Sequence, residues 1–309
     1  MRSALLALVL AVAARGAPPA QLVLTSFQPL YSFACAVAKG SAGIEVQNLA
    51  PRALGPHDFK VDAPEHAARC RALVQRATAL LTLRTVGVAP EFDRLYPWSR
   101  ELNVRIVEVD PLATWKPGAT KLPLIADPPD TARAREAGKP RDRINNPHVW
   151  LSLSHAIAMV GAVAHDFALL DPPNAALYAA NAAAYQDQLR ELRRDASARL
   201  QEADDRVASL TEGFPYLTAD LGLEVADYIL DPKSDAEISA RVKAAAVRVV
   251  LAEEPPAKNV AAAVEAAGAK VVVLSTLEEG WGTGDALSAG GYLEAMRANV
   301  ERLAGAITH

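Results

Sequence analysis

DPPNAALYAANAAAYQDQLRELRRDASARLQEAD, residues 171–204, is the stretch on which the fold turns. Tyr178, Ala182, Tyr185, Leu189, Leu192, Ala196 and Leu200 recur at steps of three and four. That spacing lines them along one stripe of an α-helix and leaves Arg190, Glu191, Arg193 and Arg194 mostly toward water. Asp171 stands at the N-cap position, and Pro172 and Pro173 fill opening positions where a missing N–H costs nothing. At 1.5 Å per residue the helix beyond the Asp-Pro-Pro-Asn opening extends roughly 45 Å, enough to run the height of two lobes.

Outward from that helix, short apolar strands alternate with helical periodicity. On the N-terminal side strands are expected at Gln21 to Thr25, Ile44 to Leu49, Ala79 to Leu83 and Val104 to Val109. A helix runs through Leu30, Phe33 and Val37 to a stop at Gly40, and another starts near Pro64. On the C-terminal side strands are expected at Ala246 to Ala252 and Lys270 to Leu274. Helices cover Ala257 to Ala267, ended by Gly268, and the region from Tyr292 on. Alternation of this kind predicts an α/β protein: two lobes, each a parallel sheet flanked by helices, joined by one long backbone helix. The boundaries read as 18–170 for the N-terminal lobe, 171–204 for the linking helix and 205–309 for the C-terminal lobe. Asp110 to Asn146, Pro-rich and aperiodic, reads as a long surface loop.

Residues 1–17 read as a cleavable export signal: a charged start at Arg2, an apolar run from Ala4 to Ala14, and small residues at Ala11 and Ala13. No Cys follows that run at once, which disfavours a lipid anchor, and no later segment reads as long and apolar enough to cross a membrane. The 309 residues carry a formal net charge of −4 without a dense Lys/Arg run, so no nucleic acid partner is expected. Cys35 and Cys70 either pair in an oxidising compartment or stand as two buried thiols.

Two loop histidines carry the sharpest chemistry. His57, in Gly55-Pro56-His57-Asp58, lies just beyond a strand, where parallel sheets place their ligands. His148, in Asn146-Pro147-His148, sits between the long loop and a helix. Two neutral imidazoles suit Zn²⁺, and also Mn²⁺ when carboxylates complete the shell. His66, His155 and His165 fall on expected helices and His309 is terminal.

Four blocks resemble the zinc/manganese substrate-binding proteins of ABC importers: NLAPRALGPHDF (48–59), NPHVWLSLSHA (146–156), DPPNAALYAANAAAYQDQLREL (171–192) and YLEAMRANVERL (292–303). The resemblance implies a non-enzymatic, monomeric periplasmic receptor that holds one Zn²⁺ or Mn²⁺ per chain between its lobes and docks on an ABC permease. His57 and His148 match the family's two N-lobe ligands. The C-lobe departs from the pattern, with Thr211 before Phe214-Pro215-Tyr216 and Ser275 after the late strand. Either Glu212 and one of Glu278 or Glu279 replace the usual ligands, giving two nitrogens and two oxygens, or the C-lobe half of the site is degenerate. Of the last two, Glu278 is the candidate taken forward. Glu253 or Glu254 of the Glu-Glu-Pro run would then orient an imidazole. A degenerate site would suit a binding or adhesion module on the same scaffold. A mononuclear zinc hydrolase is the third reading, but no HExxH, Gly-x-Ser-x-Gly or Gly-rich phosphate loop is present.

Overall fold

Short aliphatic runs pair as two separate parallel sheets in the computed structural model, which describes residues 19–88, 91–128, 131, 145–201 and 206–308. Strands β1 (Gln21–Thr25), β2 (Ile44–Asn48), β3 (Ala77–Leu81) and β4 (Val107–Val109) form the first, ordered β2-β1-β3-β4. Strands β5 (Arg206–Ser209), β6 (Glu224–Tyr228), β7 (Val249–Ala252) and β8 (Lys270–Val273) form the second, ordered β6-β5-β7-β8. The same winding therefore occurs twice, as the repeated logic of the two halves implied. The expected signal segment and residues 129–130 and 132–144 of the long loop lie outside the described residues.

Parallel strands bury both faces and need helices on each. Alternate residues of β1 show this: Val23 joins a cluster with Phe33 and Leu81, whereas Leu22 and Leu24 join Phe59, Leu73 and Val74 on the opposite face. In the second sheet Val249 and Leu251 face the first of these clusters, and Val250 packs with Ile238, Val242 and Val264. The covering helices are α1 (Gln28–Ala38), α2 (Pro64–Arg76) and α3 (Glu91–Glu101) in the first half. In the second they are α6 (Pro215–Asp220), α7 (Asp235–Ala245), α8 (Lys258–Ala266) and α9 (Gly291–Ile307).

Between the sheets run α4 (Leu153–Leu170) and the long α5 (Ala175–Leu200), packed on each other. The buried residues of α5 are the seven of the stripe read from the sequence, Tyr178 through Leu200. Its start differs from expectation. Pro172 to Asn174 form a 3-10 turn, and the Asp171 side chain caps no backbone N–H. Of the two N–H positions a capping carboxylate reaches, Pro173 offers none and the Asn174 N–H donates to the Asp171 backbone carbonyl at 3.2 Å. Asp171 Oδ2 instead accepts from Asn174 Nδ2 at 2.7 Å and from the Tyr178 hydroxyl.

A second correction concerns α4, which is long and apolar enough by length and composition to cross a membrane. Its apolarity is that of a core helix: Met159, Val160, Val163 and Phe167 are all fully buried. Cys35 and Cys70 are free thiols, Cys70 buried among apolar side chains and Cys35 only half-buried beside Tyr31. Burial pushes both up, Cys70 to about 11 against the pull of Arg69.

Candidate metal centre

The site is assembled at the carboxyl ends of strands from both sheets, where a parallel α/β layout leaves a crevice. The turn after β2 carries His57, tightened by Asp58 and Phe59 amides donating to the Gly55 carbonyl at 3.2 and 3.0 Å. His148 leads into the buried 3-10 turn Val149–Leu151 that precedes α4. Glu278 follows β8.

These three converge. His148 Nε2 lies 2.9 Å from Glu278 Oε1, and His57 Nε2 lies 3.5 Å from the same oxygen. The two rings differ in setting: the His148 side chain is 8% exposed and that of His57 57%, so one is fixed and the other reaches in from the rim. Among the described residues no three His, Cys, Asp or Glu side chains are already spaced as an ion-gripping group; the carboxylate instead sits against both rings.

Asn146 sets the chemistry of His148. Its amide nitrogen donates to Asp127 Oδ1 at 3.0 Å and to the Glu212 carbonyl at 2.9 Å. The amide oxygen therefore accepts, from the His148 backbone N–H and from His148 Nδ1, both at 3.0 Å. With a ring proton held on Nδ1, Nε2 is the atom aimed at the crevice and at Glu278. Nothing in the amino-acid pattern beyond the Asn-Pro-His run itself marks Asn146 for this role.

The segment after β8 sets Glu278, and not Ser275, against the imidazoles. Ser275 is used up structurally: its N–H and carbonyl pair with the Asn299 side chain at 2.9 and 2.8 Å, and its hydroxyl accepts from the Leu277 N–H at 3.1 Å. Leu277 takes a φ of 60°, unusual for a non-glycine residue, and is buried. That reversal swings the next residue, Glu278, back toward the imidazoles, while Glu279 is exposed.

Thr211 is likewise committed. Its hydroxyl donates to Glu253 Oε1 and accepts from the Gly213 N–H at 3.1 Å. Gly213 leaves room for that carboxylate, since a Cβ there would lie 2.2 Å from Glu253 Oε1 and displace it from Thr211. Glu212 presents its backbone carbonyl to Asn146, and its carboxylate makes no hydrogen bond or ion pair to either imidazole. Glu253 makes no hydrogen bond to an imidazole either. Surrounding protein pushes its carboxyl up, opposed by Thr211 and the positive field of His148, with Glu278 and Glu212 adding negative field. Glu212, Glu253 and Glu278 thus share one electrostatic neighbourhood with His148. The other described histidines have partners elsewhere: His155 contacts Ser152 Oγ and the Pro123 carbonyl, His165 contacts Asp166, and His66 packs on Phe59.

Burial alone would raise the Glu278 carboxyl, but the hydrogen bonds and positive charge of His148 and His57 outweigh it, bringing it from 4.5 to about 2. A carboxyl depressed in the folded state stabilises the fold above its unfolded value, and that gain fades as pH falls from about 4.5 to about 2. At about 1.4 kcal/mol per pH unit the linkage is at most on the order of 3 kcal/mol, since the exposed His57 ring is screened by solvent. Urea denaturation at pH 6 and pH 3 is therefore expected to show a smaller acid loss in Glu278→Gln than in the wild type. Equal losses would detach Glu278 from the imidazoles.

The family model described as zinc-uptake complex component A, periplasmic (ZnuA), matches residues 23–306. The chain is 26% identical over 300 residues to the zinc-binding protein AdcA of Streptococcus pyogenes, covering 91% of this chain and 55% of that one. It spans about half the length of the curated relatives it matches. Over 170 residues it is 31% identical to the high-affinity zinc uptake system protein ZnuA of Paracoccus denitrificans, 52% of this chain and 51% of that one. Among solved structures it is similar to the SBP FpvC of Pseudomonas aeruginosa in complex with Mn²⁺, at 28% identity and a TM-score of 0.73, covering 94% of this chain and 99% of that one.

Proposed function

Because the chain belongs to the family of periplasmic zinc-uptake components, we propose that it is a solute receptor that captures one divalent transition-metal ion, Zn²⁺ or Mn²⁺, and delivers it as a monomer to the permease of an ABC importer outside the cytoplasm. The observation that carries this reading is the meeting of two imidazole Nε2 atoms, from loops 91 positions apart (148 minus 57), on one carboxylate oxygen. His57, His148 and Glu278 are the donors. Glu212 is the fourth, on a backbone already anchored beside His148 through Asn146, and Glu253 adds negative charge behind it.

The donor set fits the cargo. Two nitrogens and two carboxylate oxygens suit Zn²⁺ and are tolerated by Mn²⁺, and the hydroxyls of Thr211 and Ser275 are poor donors already spent on other bonds. Since Nδ1 of His148 donates to Asn146, the contact of Nε2 with Glu278 is bridged by a proton. An arriving dication takes that proton's place, so binding releases protons and weakens in acid. Relatives named for zinc and a similar structure holding Mn²⁺ support the same class of cargo. Intrinsic affinity rises from Mn²⁺ to Zn²⁺, so any preference for manganese must come from geometry.

Calorimetric titration of chelator-treated protein with ZnCl₂ and MnCl₂ tests the reading. One ion per chain with Kd below about 1 μM, roughly 8 kcal/mol, is expected for at least one of them. Failure of both to reach that affinity would remove the capture function. Asn146→Leu, which frees the His148 ring to rotate and to change tautomer, is expected to weaken binding by roughly 10–100-fold. An unchanged Kd in that variant would show that the amide does not orient the ring.

A further inference from the structure

The segment that bears Glu278 belongs by sequence to the second half, yet its hydrogen bonds run to the first. Arg52, five residues before His57, grips it on both sides. The Gly280 N–H donates to the Arg52 carbonyl at 2.7 Å and the Arg52 N–H to the Asp285 carbonyl at 3.1 Å. The guanidinium adds Nη1 to the Gly280 carbonyl at 3.1 Å and Nε to the Gly284 carbonyl. The fit is close enough that a Cβ on Gly280 would stand 2.2 Å from Arg52 Cγ. Gln28 of α1, fully buried, holds the same segment from beneath. Its Oε1 accepts from the Trp281 N–H at 3.1 Å, and its Nε2 donates to the Ser288 carbonyl at 2.7 Å. Trp150 Nε1 donates to the Thr276 carbonyl at 2.7 Å. Beyond Ser275 the chain has left its own sheet.

From this we infer that Arg52 and Gln28 are positioning residues for Glu278, fastening it to the lobe that carries His57 and His148 so that three donors form one half-site independent of the second sheet. The inference rests on the reading of those three residues as donors. The Arg52 fork matters for its geometry: five N–H groups in a plane reach two carbonyls at once, which an ammonium on a flexible stem cannot reproduce. Glu212, on the loop after β5, lies outside this half-site and closes it from the other lobe.

Three variants and two backgrounds test it. Arg52→Ala is expected to weaken Zn²⁺ binding roughly 10–100-fold, the usual range for a residue that orients a ligand, and Arg52→Lys to recover only part of the loss. Gln28→Met, nearly isosteric, serves where Arg52→Ala folds poorly, and a smaller loss of the same kind is expected. The discriminating measurement is a double-mutant cycle with Glu278→Ala. It is read with Cu²⁺, the strongest binder of the first-row series, which keeps the residual two-imidazole site measurable. If Arg52 acts through Glu278, Arg52→Ala costs less than about twofold once Glu278 is gone, yet keeps its full cost in a Glu212→Ala background. Equal losses with and without Glu278 would mean a general structural role and overturn the inference, as would full affinity in Arg52→Ala. A wild-type chain that binds none of these ions refutes the donor reading itself and takes the anchor with it.

Discussion

Replacing His148 with Ala is expected to weaken Zn²⁺ binding by roughly three orders of magnitude, about 4 kcal/mol. The effect is large because this ring is buried, fixed in one tautomer by Asn146 and packed against the Trp150 indole with centroids 5.2 Å apart. It therefore gives up little freedom when it binds. His57→Ala is expected to cost less, since a ring 57% exposed must still be ordered by the ion. The fold should survive His148→Ala, because the Asn146 oxygen still accepts from the backbone N–H of residue 148. Competition against a chelator of known affinity measures the loss. A change below tenfold, with circular dichroism unaltered, would show that the ring is not a donor.

Trp150→Ala is expected to produce the largest loss of stability, about 3–5 kcal/mol for the cavity and up to about 3 more for the Thr276 carbonyl left without its indole partner. Trp150 is wholly buried, meets Phe27 edge-on at 4.9 Å, and offers its own carbonyl to the Tyr292 hydroxyl at 2.6 Å. It thereby ties the first sheet, the segment before Glu278 and the start of α9 together. Trp150→Phe keeps most of the packing and drops the N–H, so a loss of about 1–2 kcal/mol is expected from that variant. Urea denaturation in the presence of chelator reads both without interference from bound ions. A cost below about 1 kcal/mol for the alanine variant would contradict the packing described.

How legible was this in the amino acids? The α5 stripe was readable residue for residue, because a long amphipathic helix repeats its signal seven times. Strands β1, β2, β7 and β8 were visible as dense apolar runs. By contrast β5 is four residues long, and β6 reads Glu-Val-Ala-Asp-Tyr, whose charges break any run. Helix α3 escaped because Pro97 sits inside it, and β3 starts two residues before its expected position. The site divides in the same way. His57 and His148 announce themselves as Pro-preceded loop residues, the first just beyond an expected strand and the second before an expected helix. Glu278 was taken forward over Glu279 from the sequence, but what sets it against the imidazoles is the reversed backbone at Leu277, a conformation seldom adopted by leucine and invisible to pattern. The pairing of Thr211 with Glu253 spans 42 residues (253 minus 211), and the Asn146 amide is turned by Asp127 and the Glu212 carbonyl, so their parts depend on which side-chain atom faces which distant neighbour, information that no local spacing contains.

The apolar seam along α5 has a thermal consequence. Its seven inward residues belong to one continuous cluster with Val23 and Leu81 of the first sheet and Val249 and Leu251 of the second. Joints between domains within one chain are more often modest and polar, which lets each half melt by itself. Here neither half can lose its packing without stripping the other's shared wall. A calorimetric scan should accordingly show a single endotherm, with calorimetric and van't Hoff enthalpies in agreement.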